Sequence, residues 1–393
     1  MRIAVVNSFY PPRVGGSAHL SESLAKGYAA AGHQVLVLTA AHPETPPEQD
    51  IDGTSIVRLP AVRLPETRLA VNFDIPFTIR LGLRHRVDAL LGEFRPDVIH
   101  QHGQFFDLTW ATGLWARERE VPTLLSVHTR LESPSSVYQS VFSLLDASLV
   151  APVLRRCRPT YVVMDVQMRD YISRKYGACE SDMVPIPVGV DPRWVRGGDP
   201  QIVRARHCLG DDPVILSTGH VIPLRDRIAL VDALPEVLVE APEAKLVVVG
   251  GVYFDAFLRR ARGLGVQKSV ITTGAVRKCD MPHYLAAATV ESHDLQGYGL
   301  GTASLESMAA EVPVIAAVRE DNFVDVELED RGNVHLVPPN DPDALAARLI
   351  ETITDREGSQ RIAHAGAKLV EEYFSMDAVL GKHLATLGRL ASC

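Results

Sequence analysis

The chain predicts the α/β class, with two doubly wound parallel sheets in succession. Short apolar runs ended by turn residues, helical spacing between them, and glycines where strands lead into helices carry that prediction. Arg2 to Ser8 reads as a parallel strand buried on both faces. The loop after it, Phe9 to Ser17, holds the pair Gly15-Gly16. Residues 18–31 have helical spacing through Leu20, Leu24, Gly27 and Tyr28, and Gly32-His33 stops the helix before a strand at 34–39. The first strand-to-helix turn of such a βαβ unit is where open α/β sheets bind ligands. The glycine spacing is not Gly-x-Gly-x-x-Gly and no acid ends the second strand, which disfavours a nicotinamide dehydrogenase.

Further strands are predicted at 56–59, 98–100, 123–127 and 161–164. Proline and glycine density over 186–192 and at Gly197-Gly198-Asp199-Pro200 then reads as a linker. A second series of strands follows at 214–218, 245–249, 270–273, 289–292, 314–317 and 334–337. Helices are expected between them at 227–240, 254–264, 281–287, 304–310 and 344–354. Two such domains imply a cleft between them, the usual place for a small-molecule site.

Composition narrows the function classes. A chain of 393 residues has room for two or three domains, and its 46% hydrophobic and 22% charged residues are ordinary for a globular protein. Net charge is −8, which argues against wholesale nucleic-acid binding. Five dispersed cysteines (Cys157, Cys179, Cys208, Cys279 and Cys393) without a Cys-x-x-Cys pair fit reduced thiols better than a disulfide frame or a zinc site. The sequence enters a strand at once, and no apolar run approaches the roughly 18 residues of a membrane span. A cytoplasmic location without membrane association is the expectation; oligomeric state is not legible.

Residues 296–316 are the most informative stretch. Gly297, Gly299 and Gly301 precede a helical segment carrying Glu306, followed by an apolar strand at 312–317. Glycines ahead of a helix let backbone N–H groups approach an anion, and the helix dipole favours negative charge there. With Glu306 placed to accept hydrogen bonds from sugar hydroxyls, the segment reads as a nucleotide-sugar site.

Ordered landmarks over nearly the whole chain resemble the retaining glycosyltransferases of family 4. They are Pro11-Pro12-x-x-Gly15-Gly16, Pro96-Asp97-Val98-Ile99-His100-x-His102, Val127-His128-Thr129 and Pro185-x-Pro187-x-Gly189-Val190-Asp191. Gly219 to Arg225, Val249-Gly250-Gly251, Gly274-x-Val276, Leu336-Val337-Pro338-Pro339-x-Asp341 and Tyr373-Phe374-Ser375 continue the series. The resemblance implies the GT-B fold, α/β with two doubly wound Rossmann-like domains facing across a cleft. The implied division is an acceptor-binding domain at 1–188, a nucleotide-sugar-binding domain at 189–372 and a C-terminal helix at 373–393 crossing back. The chain also departs from the family. Its usual Glu-Gly-Phe-Gly-Leu-x-x-x-Glu lacks the first acid here, with Gln296 or Tyr298 in that place depending on alignment, and Asp294 and Glu291 are both candidate substitutes. His220 replaces an arginine, Arg225 fills a lysine position, and Glu320-Asp321 stand where the family has Gly-Gly. The string from His293 to Glu306 is similar to enzymes of aminoglycoside assembly that glycosylate 2-deoxystreptamine.

What this resemblance implies is a retaining hexosyltransferase that uses a UDP-sugar, with UDP-N-acetylglucosamine or UDP-glucose favoured. No prosthetic group and no essential metal are expected. The diphosphate would be met by Arg225, His220 and backbone N–H groups at Gly15, Gly16 and Gly299–Gly301; the rest of the donor by Gly250, Val276, Gln296, Gly297, Leu300, Thr302 and Glu306. His128, Arg225 and Glu306 are the candidate catalytic residues, and Asp74, His102, Gln104, Asp107, Arg130 and Glu132 the candidate acceptor contacts. Acids among the latter would pair with the ammonium groups of a small aminocyclitol. A nucleotide-sugar 2-epimerase of the same fold and a non-enzymatic sugar-nucleotide-binding protein are the competing expectations.

Overall fold

The computed structural model describes residues 1–13, 15–63, 76–78, 82–132 and 136–392. The chain divides into two compact units, Met1–Val188 together with the stretch from Val379 onward, and Gly189–Ala378.

The first unit begins β1 (Arg2–Asn7), α1 (Gly16–Ala30), β2 (Gln34–Ala40), β3 (Glu48–Ile51), β4 (Thr54–Leu59), β5 (Val62–Arg63) and β6 (Pro76–Phe77). It continues α2 (Leu83–Phe94), β7 (Val98–His102), α3 (Asp107–Glu118), β8 (Thr123–Ser126), α4 (Ser136–Leu145), a π-turn over Asp146–Val150, α5 (Ala151–Cys157), β9 (Thr160–Val163), α6 (Val166–Tyr176) and β10 (Met183–Pro185). Its main sheet runs β10-β9-β8-β7-β1-β2-β4-β3. All neighbours are parallel except the β3–β4 edge pair. Ile3, Ala4, Val5 and Val6 are wholly buried, as a central parallel strand covered on both faces requires. From β1 the chain builds outward through β2, then returns to β7 on the other side, so the winding reverses between β1 and β7.

The second unit contains α7 (Pro192–Val195), α8 (Pro200–His207), β11 (Val214–Thr218), α9 (Ile228–Glu240), β12 (Lys245–Val249), α10 (Ala256–Gly263), β13 (Val270–Gly274) and α11 (Met281–Ala287). It goes on through β14 (Val290–Glu291), α12 (Thr302–Ala309), β15 (Ile315–Ala316), β16 (His335–Leu336), α13 (Pro342–Thr354) and α14 (Arg356–Leu369) to the start of α15 (Met376–Ala391). Strands run β13-β12-β11-β14, and a parallel bridge from Glu291 to Val314 carries this order on to the β15-β16 pair. The winding reverses between β11 and β14. Helix starts are set by local chemistry: Asp199 and Asp341 accept N–H bonds from Gln201 and Ala344, each with proline as the first helical residue.

Several expectations are corrected. The apolar run at 312–317 is ordered as strand only over Ile315–Ala316, because it sits where the sheet is thinly paired. The β3–β4 antiparallel edge was not anticipated; Glu48–Ile51 is polar and half exposed, so it has no apolar signature. The supposed linker at 197–200 is packed: a Cβ added at Gly198 would lie 1.9 Å from the Pro282 carbonyl oxygen. On α15, Val379, His383 and Leu387 are buried, and Leu380 fills the space a Gly27 side chain would need, 2.7 Å from an added Cβ.

Candidate active site

In open α/β sheets the ligand crevice lies beyond the C-terminal ends of the strands, where the winding reverses. In the second unit that place lies between the loops after β11 and β14. The β11 loop is built on glycine and a buried cation. Gly219 has φ +105° and Gly250, just past the end of β12, φ +139°; a Cβ at Gly250 would come 2.3 Å from the Gly219 carbonyl oxygen, so the loops after β11 and β12 touch only because residue 250 is glycine. Arg227 is fully buried beneath the loop and donates to the carbonyls of Arg225 (2.7 Å), Thr218 (3.1 Å) and Asp226 (3.2 Å). Burial draws its guanidinium down to about 10, against the opposing pull of Glu291 and Asp294, so it remains charged at neutral pH.

Arg225 stands on the exposed rim, and no acid pairs with its guanidinium among the described residues. His220 accepts the Gly251 N–H at Nδ1 (3.1 Å) and meets Tyr253 edge-on. Only its Nε2 is therefore free for a ligand, and protonating Nδ1 would sever the bond to Gly251. Val276 packs half-buried against the unit's core.

The loop after β14 carries buried acids. Glu291 is wholly buried, 2.5 Å from His293 Nδ1 and 3.3 Å from Ser304 Oγ. Asp294 Oδ2 accepts the Gly301 N–H (2.6 Å) and lies 3.1 Å from Ser304 Oγ, closing the N-terminus of α12. This corrects one expectation: the Gly301 N–H aimed at a diphosphate is taken by Asp294. Neither Glu291 nor Asp294 is free to stand in for the missing first acid. Gln296 instead donates from Nε2 to Asp226 Oδ2 (2.7 Å), linking the two loops. Gly297 and Gly299 hold φ +77° and +104°, conformations that favour glycine, while Leu300 anchors the loop in the core.

Thr302 is exposed in the first turn of α12. One turn on, the half-buried Glu306 carboxyl has no hydrogen bond among the described residues. Burial pushes it up to about 7, with Lys278 and His293 pulling the other way.

In the first unit the corresponding place lies between the loops after β1 and β7. Asn7 accepts the Phe9 N–H (2.9 Å) and donates to Ser17 O (3.1 Å) and Ser21 Oγ (2.9 Å), tying the strand end to the start of α1. A Cβ at Gly15 or Gly16 would meet nothing within 4 Å, so protein packing does not explain these glycines and the space beside them is open.

Across from that loop, four histidines cluster. His100 bonds Tyr28 Oη (3.0 Å) and Ser126 Oγ (2.9 Å), and its ring lies 4.2 Å from His102 and 4.9 Å from His383. His102 Nδ1 lies 3.0 Å from His128 Nε2, with the rings stacked. Burial pushes all four down, His128 to about 4 and His383 to about 3, so each is neutral at pH 7. His128 alone of the four keeps partial exposure.

The candidate acceptor residues fare unevenly. His102, Gln104 and Asp107 are buried. Gln104 donates to Thr129 O (2.6 Å) and Asp107 accepts from Thr78 (2.9 Å), in a loop hemmed by the Phe9–Phe106, Phe77–Phe105 and Phe105–Trp110 ring contacts. Arg130 bonds Gln167 and pairs with Glu132 (3.2 Å), so that acid is already neutralised. Asp74 lies outside the described residues. Among the described residues no group of three histidine, cysteine or acidic side chains could hold a metal ion.

Sequence reasoning missed Asp226, Arg227 and Lys278. An acid two residues ahead of the first residue of α9 was a usable signal for Asp226, since it accepts the Ile228 N–H at 2.9 Å.

Residues 14–194 match the model of Glycosyltransferase Family 4, and residues 201–369 that of Glycosyl transferases group 1. An uncharacterised glycosyltransferase of Methanocaldococcus jannaschii is 24% identical over 393 residues, 96% of each chain. A GDP-mannose-dependent alpha-(1-6)-phosphatidylinositol dimannoside mannosyltransferase of Mycobacterium tuberculosis is 26% identical over 402 residues, 100% of this chain and 97% of that one. The structure of Anabaena HepE in complex with UDP and glucose superposes with a TM-score of 0.73 at 18% identity, covering 99% of this chain and 100% of the other. Two doubly wound α/β units, matched in order by these two family models, make the chain a glycosyltransferase of family 4 and group 1 with the two-domain GT-B fold, an enzyme that uses a nucleotide-sugar donor.

Proposed function

We propose that this enzyme transfers N-acetylglucosamine or glucose from its UDP derivative to a hydroxyl of 2-deoxystreptamine, in the cytoplasm, with retention of anomeric configuration. The observation that carries the donor reading is the β11/β14 crevice. The Asp226–Gln296 link joins the segments that follow β11 and β14, and the unpaired Arg225 guanidinium and the Glu306 carboxyl stand on those same segments. Arg225 would clamp the diphosphate as its negative charge grows on leaving, and fixed charges at that point lower the barrier. Glu306 would accept the ribose hydroxyls of the nucleotide. UDP in the HepE structure supports uridine over guanosine, although the mycobacterial relative uses GDP-mannose.

Retention needs no enzymic nucleophile when the acceptor hydroxyl attacks from the face the diphosphate leaves and a leaving-group oxygen takes the proton. In this scheme His128, neutral at pH 7, would hydrogen-bond the sugar or the acceptor without taking a charge. The acceptor reading rests on the resemblance of residues 293–306 to enzymes acting on 2-deoxystreptamine. An open cavity of about 830 Å³ in the second unit is lined by Glu320, Asp321, Asp325 and Glu327 together with Arg319 and apolar side chains; its acids outnumber its arginine, which suits an ammonium-bearing acceptor.

The test incubates the purified protein with UDP-N-acetylglucosamine, UDP-glucose or GDP-mannose and 2-deoxystreptamine. Mass spectrometry reads the transferred hexose, and proton NMR the anomeric coupling of the product. Transfer from either UDP-sugar with an α linkage is expected. Donor epimerisation without acceptor, or transfer only from GDP-mannose, overturns the proposal.

A second reading has one observation behind it. Val137, Val141, Leu144 and Leu149 expose an apolar stripe on α4 and the π-turn after it, which favours a lipid-borne acceptor at a membrane surface. Co-sedimentation with anionic phospholipid vesicles, lost in Val141→Asp, would favour that reading. No helix among the described residues is long and apolar enough to cross a membrane.

A further inference from the structure

We propose that Asp226 is a positioning residue for donor-sugar recognition, holding Gln296 so that its carboxamide oxygen, with the Asp226 carboxylate behind it, reads a hydroxyl of the transferred hexose. This deepens the donor reading above and rests on it.

Asp226 is fixed at three points. Oδ1 accepts the Ile228 N–H (2.9 Å), Oδ2 accepts Gln296 Nε2 (2.7 Å), and its backbone carbonyl receives the buried Arg227 guanidinium (3.2 Å). Gln296 follows the end of β14 and precedes Gly297, whose φ of +77° turns the chain away. The pair therefore bridges the two loops at the point where the winding of the sheet reverses, and both side chains keep partial exposure.

A carboxamide can face either way; one whose NH₂ end is bound to a carboxylate cannot. Its Oε1, which has no hydrogen bond among the described residues, is left as an acceptor with a set direction. The other acids of the loop are spent, Glu291 on His293 and Asp294 on the start of α12. Asp226 is thus the acid that lies behind Gln296 at the crevice, reached from a loop 70 residues earlier in the chain.

The polarity of the pair makes a reciprocal exchange diagnostic. Gln296→Glu alone sets two carboxylates 2.7 Å apart, which cannot both ionise, so activity should fall as pH rises. Asp226→Asn alone keeps an oxygen for the Ile228 N–H but turns an NH₂ toward Gln296, which must flip to keep the bond and then presents its own NH₂ in place of the oxygen. When Asp226→Asn and Gln296→Glu are combined, the new carboxamide at position 226 can accept the Ile228 N–H and donate to the new carboxylate at position 296. Every bond is then restored, with one carboxylate oxygen still presented.

The experiment measures KM for the UDP-sugar, affinity for UDP alone by calorimetry, and the pH profile of transfer. Each single variant should raise KM about tenfold or more while UDP affinity stays within about twofold, and the double variant should recover to within about threefold of wild type. Additive loss in the double variant, or unchanged KM in Gln296→Glu, overturns the proposal. Should Gln296→Glu fail to fold, Gln296→Ala must show the same split between KM and UDP affinity, and equal loss of both refutes the inference. If the wild-type protein transfers no sugar from any UDP donor, the functional reading fails; if it transfers sugar and the exchange does not rescue, only the Asp226 role fails.

Discussion

Glu306 makes the donor reading measurable through pH. Burial raises its carboxyl from 4.5 to about 7, so the free enzyme holds a proton there that an exposed glutamate would have lost. An ionised carboxylate accepts two ribose hydroxyls, one on each oxygen, where the protonated acid spends one oxygen on its own O–H, so donor binding favours the deprotonated form. With the free-enzyme value near 7, the apparent Kd for UDP-N-acetylglucosamine should weaken about tenfold between pH 8 and pH 6. The diphosphate diester of the donor does not titrate in that range, so the change belongs to the protein. Titration calorimetry in two buffers of different ionisation heat should also detect proton release on binding at pH 7, and Glu306→Gln should abolish both effects.

Stability provides the internal check. Between 4.5 and about 7 the native state binds more protons than the unfolded chain, so this group's contribution falls as pH rises through that window. The shift corresponds to at most about 3 kcal/mol, reduced by the solvent that reaches this half-buried side chain. Glu306→Gln should remove that decline in urea unfolding. Donor affinity in wild type that is flat from pH 6 to 8 would refute the assignment of Glu306 to the nucleotide.

Arg225→Ala should lower kcat by about two to three orders of magnitude with little change in Tm, because the guanidinium is exposed and unpaired; unchanged turnover removes it from the diphosphate. Gly250→Ala should destabilise the protein by about 2 kcal/mol or more in urea titration, since the added methyl would lie 2.3 Å from the Gly219 carbonyl oxygen. The four-histidine cluster should make the first unit acid-sensitive. Native histidines held below 6.5 bind fewer protons than unfolded ones, so stability is lost as pH falls from 6.5 toward about 4 for His128 and about 3 for His383. His383→Leu should shrink the drop in Tm between pH 7 and pH 5; an unchanged drop would place the acid sensitivity elsewhere.

Periodicity and glycine placement made the fold readable. The first strand, expected at 2–8, is observed as Arg2–Asn7, and the helix expected at 281–287 is observed as Met281–Ala287. Local signals failed where strands are short or polar, as at β3 and β15. The glycine-rich run at 296–301 was read as an anion-binding loop, and two of its glycines, Gly297 and Gly299, hold positive φ. Its chemistry was less legible. Nothing in that run shows that Asp294 takes the Gly301 N–H, or that Glu291 is sealed against His293.

The amino-acid order alone determined two parallel α/β units, because strand and helix periods, glycines and prolines act over a few neighbouring residues. Which side chains meet was decided by the tertiary structure. Parallel pairing of β11 with β14 joins Asp226 to Gln296, and return of the C-terminal helix sets His383 on His100. Such contacts link positions 70 and 283 residues apart, and no local pattern encodes a partner at that distance.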